Sequence, residues 1–251
     1  MPDFSVKGAI IKKRGQVLNY EFDWQTVFSG QYLGWIIEGL KCSLSLMAVS
    51  SILAVLIGVI TTFGNMSKNR IIHFIAVAYI ELCRNIPTLI WLLFFYYVFP
   101  ELFPETIKKA MNSSPDLNYW AAVAGLSISS SGYISEIIRG GIMAVPKEQI
   151  SAAKSLGHSK LQIWLYIIWP QAIKNCFPPL VTRVVHNVKN TSLALTLSVH
   201  EIMWATQQIE SITFRGLEVT ILATVFFLVI NVIIGLAARL LEKRMTPAAG
   251  H

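Results

Sequence analysis

Arg183, His186, Asn187 and Asn190 recur at steps of one, three and four residues, and Thr191 and Ser192 follow directly. On a helix these positions form one polar face, within a stretch, PPLVTRVVHNVKNTSLA, that is otherwise largely apolar. Lipid does not tolerate such a face, so it must meet protein or water. A second group, SISSSGYISE, supplies Ser127, Ser129, Ser130, Ser131 and Tyr133. Small hydroxylated residues serve either to pack membrane helices or to line a polar path. A third group is Glu81 with Arg84, three residues apart and able to pair on one helical face. Either that pair fixes a break near Pro87, or Arg84 and Thr88 line a path beside the freed backbone. The chemistry common to all three groups is non-covalent: donors and acceptors that replace the water a polar solute gives up. A serine nucleophile at Ser131, with His186 or His200 as base, lacks a GxSx elbow and any evident pairing.

Such residues have to be positioned by membrane-crossing elements. The 251 residues are 54% apolar and 14% charged, with a mean hydropathy of +0.54, whereas an ordinary globular domain is about 25% charged. A single all-α integral membrane domain is expected. The net charge of +7 comes without a basic block interleaved with aromatics, so nucleic acid is not the expected partner; membrane lipid is. Cys42, Cys83 and Cys176 lie far apart in apolar surroundings and read as buried small hydrophobes, not as metal ligands or a disulfide frame. The start, MPDFSVKGAIIKKRGQ, lacks the apolar core of a signal peptide, so insertion rests on internal spans.

Windows of about 20 apolar residues place spans at about Trp35–Phe63, Ile71–Phe99 (broken near Arg84 and Pro87), Tyr119–Ile138, Leu161–Val188 and Leu217–Leu241. Pro170, Pro178 and Pro179 are expected to kink or divide the fourth. One side collects Lys68, Arg70, Arg139, Lys147, Lys154, Lys160, Arg239, Lys243 and Arg244; the other collects Lys108, Lys109, Lys189 and Arg215. The heavier side is expected to be cytoplasmic, with the N-terminus outside and the C-terminus inside. Lys7, Lys12, Lys13 and Arg14 run against that count but stand far from the first span. The expected organisation is a tail over 1–31, a transmembrane domain over 32–244 with a cytoplasmic loop at 145–170, and a C-terminal tail over 245–251.

That loop, PKEQISAAKSLGHSKLQIW, reads like a soluble helix. Pro146 suits a first helical position and Glu148 the positive helix end. Ile150, Ala152, Ala153 and Leu156 share half of the helical wheel, Lys147, Glu148, Ser151, Lys154 and Ser155 share the other, and only Gln149 is out of place, falling on the apolar half. Gly157 suits a left-handed stop, and Ser159 with Gln162 forms a capping box for the next helix. A face made mainly of alanine has little bulk to sink into lipid and lets another backbone come close, which favours docking on protein.

EQISAAKSLGHSKLQIWLYIIWPQA resembles the EAA loop of ABC-importer permeases. Ala152, Ala153, Gly157, Ile168 and Pro170 match that pattern, while Ser151 and Trp169 stand where it has glutamate and leucine. ELCRNIPTLIWLLFFYYVFPEL, SGYISEIIRGGI and PPLVTRVVHNVKNTSLA look like further signatures of the polar amino-acid uptake branch, so the resemblance covers about Tyr32 to Arg244. It implies a type I ABC importer permease fold in a bacterial inner membrane, with Ser151, Ala152, Ala153, Leu156, Gly157, Ile168 and Pro170 coupling to a cytoplasmic ATP-binding subunit. It also implies two ATPase copies, a second permease subunit (the same chain or a related one) and a periplasmic solute-binding protein. The chain has no GxxxxGK[ST] loop to cradle phosphates, so it is expected to be no enzyme and to bind no cofactor, with ATP and Mg held by the partner. Arg84, Thr88, Ser129, Ser130, Tyr133, Asn187, Asn190, Thr191 and Ser192 are the expected pathway residues for a zwitterionic amino acid. GQYLGWIIEG and VFPELFPE look closest to glutamate/aspartate permeases, with glutamine as the alternative. An ion- or proton-coupled carrier would also place polar residues in broken helices. It usually shows an internal repeat, which is not evident here, and has no use for an alanine-faced docking helix.

Overall fold

The computed structural model describes residues 9–13 and 16–245. Lys7, Arg14 and the last six residues of the expected C-terminal tail lie outside the described residues. An antiparallel hairpin comes first, β1 (Ala9–Lys13) and β2 (Gln16–Tyr20), with Ala9 opposite Tyr20. Helices follow: α1 (Trp24–Val27), α2 (Gly30–Asn65), α3 (Arg70–Asn85), α4 (Thr88–Leu93), α5 (Glu105–Asn112) and α6 (Leu117–Met143). The second half holds α7 (Lys147–Ser155), α8 (Lys160–Ile163), α9 (Trp169–Asn190), α10 (Ile202–Thr213) and α11 (Gly216–Met245).

Helix α6 is the centre. Two-thirds of its apolar window is buried, against 6% for α11, whose Leu228, Val232 and Leu240 are exposed. Close packing on α6 depends on small residues. Along α2 the small buried residues are Gly39, Ser43, Ser50, Ala54, Gly58 and Thr62; Gly39 and Ser43 meet the start of α10 and the others face α6, where small residues let membrane helices approach closely. Ser127 Oγ donates to the Ser50 carbonyl at 3.2 Å, and Thr62 Oγ1 donates to the Ser135 carbonyl at 3.1 Å. At Gly132 an added Cβ would lie 2.8 Å from Cys83 Cβ and 3.0 Å from the Ile80 carbonyl, so α3 and α6 touch backbone to backbone there.

These contacts fix directions. Ser45 meets Tyr119 and Asn65 meets Glu136, so α2 and α6 run parallel. Cys176 meets Ile137, whereas Arg183 meets Ser130, so α9 runs back against α6. The starts of α2 and α6 thus share one face of the bundle, proximal to the hairpin, and their ends share the distal face with α7. At the proximal face Glu218 is fully buried at the start of α11. It accepts from the Tyr20 hydroxyl and from the Asp23 N–H (2.9 Å), while Arg215 donates to the Glu21 carbonyl at 3.0 Å.

Helices cover all five expected spans. Among the described residues α2, α6 and α11 are each long and apolar enough to cross a membrane alone, and the second span qualifies only as a bent pair. Its halves, Arg70–Asn85 and Thr88–Leu102, meet at 109°. The residue before a proline is held out of the helical region, and Ile86, before Pro87, is extended at φ −91°, ψ 128°. The fourth span departs from expectation in that Pro178 and Pro179 sit inside α9 without dividing it. Membrane helices keep their course through proline more readily than soluble ones; here the carbonyls of Lys174 and Asn175 are the ones whose N–H partners Pro178 and Pro179 lack. The irregularity lies earlier, in a π-helical turn at Trp164–Ile168 just before Trp169-Pro170; a second, at Phe94–Val98, stands just before Phe99-Pro100. In each, the residue before the proline donates back five residues, Trp169 to Trp164 and Phe99 to Phe94, the wide spacing of a π turn.

Candidate functional site

A cleft of about 640 Å³ opens between α3, α6 and α9, lined by Arg84, Tyr133, Glu136, Thr182, Arg183 and His186 among others. Its frame follows from the helix break. The Tyr133 hydroxyl donates to the Arg84 carbonyl at 2.9 Å, and Thr88 and Ser129 share a 2.7 Å hydrogen bond. Asn190 Nδ2 reaches Thr88 Oγ1 at 3.5 Å from α9. The broken helix is thereby sewn to α6 and more loosely to α9.

Two arginines flank the Tyr133 ring, Arg183 at 4.0 Å and Arg84 at 5.8 Å from its centroid. A guanidinium over an aromatic face is attracted by the ring quadrupole. Arg84 has a carboxylate partner, Glu81 at 3.5 Å, as the three-residue spacing predicts; both side chains remain open, 38% and 57% exposed. Arg183 has none among the described residues. It donates to the Ser129 carbonyl (3.3 Å) and to Ser130 Oγ (3.1 Å), and its buried Nε has no partner.

The expected polar face of α9 splits in two. Arg183 and His186 line the cleft. Asn187 does not; it is 1% exposed. Ser130 Oγ donates to its Oδ1 at 2.8 Å, and its Nδ2 donates to Ser50 Oγ at 2.9 Å and Ser51 Oγ at 3.0 Å. It is a pin joining α2, α6 and α9. Thr191 is buried and bonds the Val188 carbonyl, and Ser192 bonds the Lys189 carbonyl. Ser129 and Ser130 are buried too, and both meet the cleft through Arg183.

Glu136 and Arg139 were not singled out in the sequence. Arg139 Nε and Nη2 donate to the two oxygens of Glu136 at 3.0 and 2.7 Å, and Asn65 adds a third donor at 3.2 Å. The available signal is the (i, i+3) acid–arginine spacing, the same one that marks Glu81 and Arg84.

At the distal face α7 starts after Pro146, which caps the helix instead of occupying its first turn. It ends in a Schellman motif: Gly157, at φ +82°, donates to the Lys154 carbonyl and His158 donates to that of Ala153. The expected capping box is present, with Ser159 N–H on Gln162 at 2.8 Å and Gln162 N–H on Ser159 at 3.3 Å. The expected docking face is divided. Ala153 and Ile150 pack into the chain's own core with Ile168, whereas Ser151, Ala152, Leu156, Gly157 and Pro170 are exposed, Leu156 to 80%. Gln149, out of place on the wheel, accepts from Gln171 Nε2 at 2.7 Å and ties α7 to α9.

Comparison with known proteins agrees over most of the chain. Residues 54–247 match the family described as "Binding-protein-dependent transport system inner membrane component". The chain is 30% identical over 225 residues to the glutamine transport system permease protein GlnP of Escherichia coli (strain K12), covering 90% of this chain and 98% of that protein. It is 29% identical over 211 residues to the arginine transport system permease protein ArtQ of Bacillus subtilis (strain 168), covering 84% and 92%. Its fold superposes on the crystal structure of an amino acid ABC transporter with histidines (TM-score 0.77, 29% identity, 90% of this chain and 100% of that one). An inward-facing MetNI methionine ABC transporter shares the fold, at TM-score 0.69 and 15% identity over 87% of this chain and 99% of that one. This chain therefore belongs to the family of binding-protein-dependent inner membrane transport components, as an ABC-importer permease of the amino-acid type with the type I fold.

Proposed function

We propose that this chain is the membrane-spanning subunit of an ATP-driven importer of polar amino acids, with glutamate and aspartate as substrates ahead of glutamine. Arg183 carries the reading. A half-buried guanidinium with no anion nearby is costly, and a carboxylate would supply the missing charge through a bidentate contact. Arg84 and Arg183 both face the cleft, and Glu136 is already gripped by Arg139, so an acidic substrate suits it better than a basic one. The distal face, with Lys68, Arg70, Lys147, Lys154 and Lys160, is cytoplasmic by the positive-inside rule; the N-terminus is outside and the C-terminus inside. There Ser151, Ala152, Leu156 and Gly157 on α7 dock on an ATP-binding subunit that holds ATP and Mg. Two such subunits, a second permease chain to close the path, and a periplasmic solute-binding protein complete the assembly. Reconstitution in proteoliposomes tests this. Glutamate-loaded binding protein is expected to stimulate ATPase activity, and Arg183→Gln to cut uptake at least tenfold with the complex still assembled. Uptake driven by an ion gradient without ATP would overturn the importer, and unchanged uptake by Arg183→Gln would overturn the site.

A further inference from the structure

We infer that Glu136 receives the ammonium group of the substrate, which makes the cleft a polarised site: carboxylate at Arg183, ammonium one to two helical turns nearer the distal face. The inference rests on the cleft being the substrate site. Glu136 is 27% exposed at its side chain and lines the same cleft as Arg84, Arg183 and His186. Its two oxygens are unequally used. Oε1 accepts from Arg139 Nε and from Asn65, whereas Oε2 accepts from Arg139 Nη2 alone. A carboxylate oxygen has two lone pairs, so one acceptor position remains on Oε2. A brace whose only task was to hold Arg139 would not need to face a cleft that also holds two other arginines.

Spacing then restricts the substrate. Arg183 is bonded at Ser129 and Ser130, six to seven residues before Glu136, or about 9–10 Å along the α6 axis at 1.5 Å per residue. The arginine side chain shortens that gap, but the α-carboxylate and ammonium share one carbon and do not reach both ends. The carboxylate on Arg183 is therefore that of the side chain, and the α-carboxylate is left for Arg84.

The test is direct binding to the purified permease–ATPase complex without binding protein, by calorimetry, using L-glutamate and glutarate; the latter keeps both carboxylates and lacks the ammonium. Glu136→Gln is expected to weaken glutamate at least tenfold and to change glutarate by less than twofold. Glu136→Asp, which keeps the charge and withdraws it by one methylene, is expected to fall between and serves if the Gln variant does not assemble. Equal losses for both ligands would make Glu136 a structural brace, and unchanged glutamate binding would also overturn the inference. Arg183→Gln is the control for the underlying site and is expected to weaken both ligands. If it weakens neither, or if the wild-type complex binds neither, the cleft is not the substrate site and the inference falls with it.

Discussion

Gly157→Val isolates the turn after α7, proposed to dock on the ATP-binding subunit, from everything else in the molecule. Gly157 has φ +82°, and a Cβ there would meet nothing within 4 Å. Steric contact is thus absent from the balance, and the cost is confined to the left-handed backbone, roughly 1–2 kcal/mol for a residue with a side chain, at the upper end for a β-branched one. At about 1.4 kcal/mol per decade, that weakens the native turn by roughly five- to thirtyfold. The two bonds that end α7, to Lys154 (3.0 Å) and Ala153 (3.1 Å), exchange for a non-native turn, and exposed Leu156 moves off the position proposed for docking. Insertion and folding should be unaffected, because no core residue is touched. The assay is co-purification of the ATP-binding subunit, with ATPase stimulation in liposomes; both should fall while membrane yield is kept. Asn accepts the left-handed region more readily, so Gly157→Asn should recover most of the loss. Wild-type coupling in the Val variant, or equal damage from Asn, would refute the reasoning.

Asn187→Ala removes the shared partner of Ser130, Ser50 and Ser51 and should cost about 1–3 kcal/mol, read as a lower melting temperature of the detergent-solubilised complex. In a background without Cys42, Cys83 and Cys176, a cysteine at 187 should resist a membrane-impermeant thiol reagent in every nucleotide state, while one at His186 reacts; equal labelling would refute the pin. Hydrogen bonds from the Thr26 hydroxyl and N–H hold the Asp23 carboxyl below the usual range. A depressed pKa means stability present above the ordinary carboxylate value and lost as pH falls through the folded one, so the hydrogen-exchange protection factor at the Thr26 amide should fall only in that acid window.

The helices, the break at Pro87 and both devices around Gly157 and Ser159 were legible because each depends on neighbours in sequence. The division of the polar face was not. Arg183 and Asn187 are 40° apart on a helical wheel, and which of them faces the cleft depends on where α2 and α6 lie. The same holds for Ala152 and Ala153, adjacent in sequence, one outward and one in the core. Glu136 carried a local signal in its (i, i+3) spacing to Arg139, but its place in the cleft beside Arg183 depends on how α9 packs against α6. The outcome at Pro178 and Pro179 was set by the surroundings of α9, which local propensity does not contain.

The π-helical turn before Pro170 gives α9 the mechanics of a lever. Arg183 stands 14 residues beyond Trp169, an arm of about 21 Å at 1.5 Å per residue. Gln171, tied to Gln149 on α7, grips that arm close to its pivot. A tilt of about 10° at the wide turn would then carry the guanidinium some 3–4 Å on that arm, and Asn187, one turn farther out and pinned to α2 and α6, would carry those two helices with it. A displacement at α7 too small to disturb its own packing would thus be magnified at Arg183.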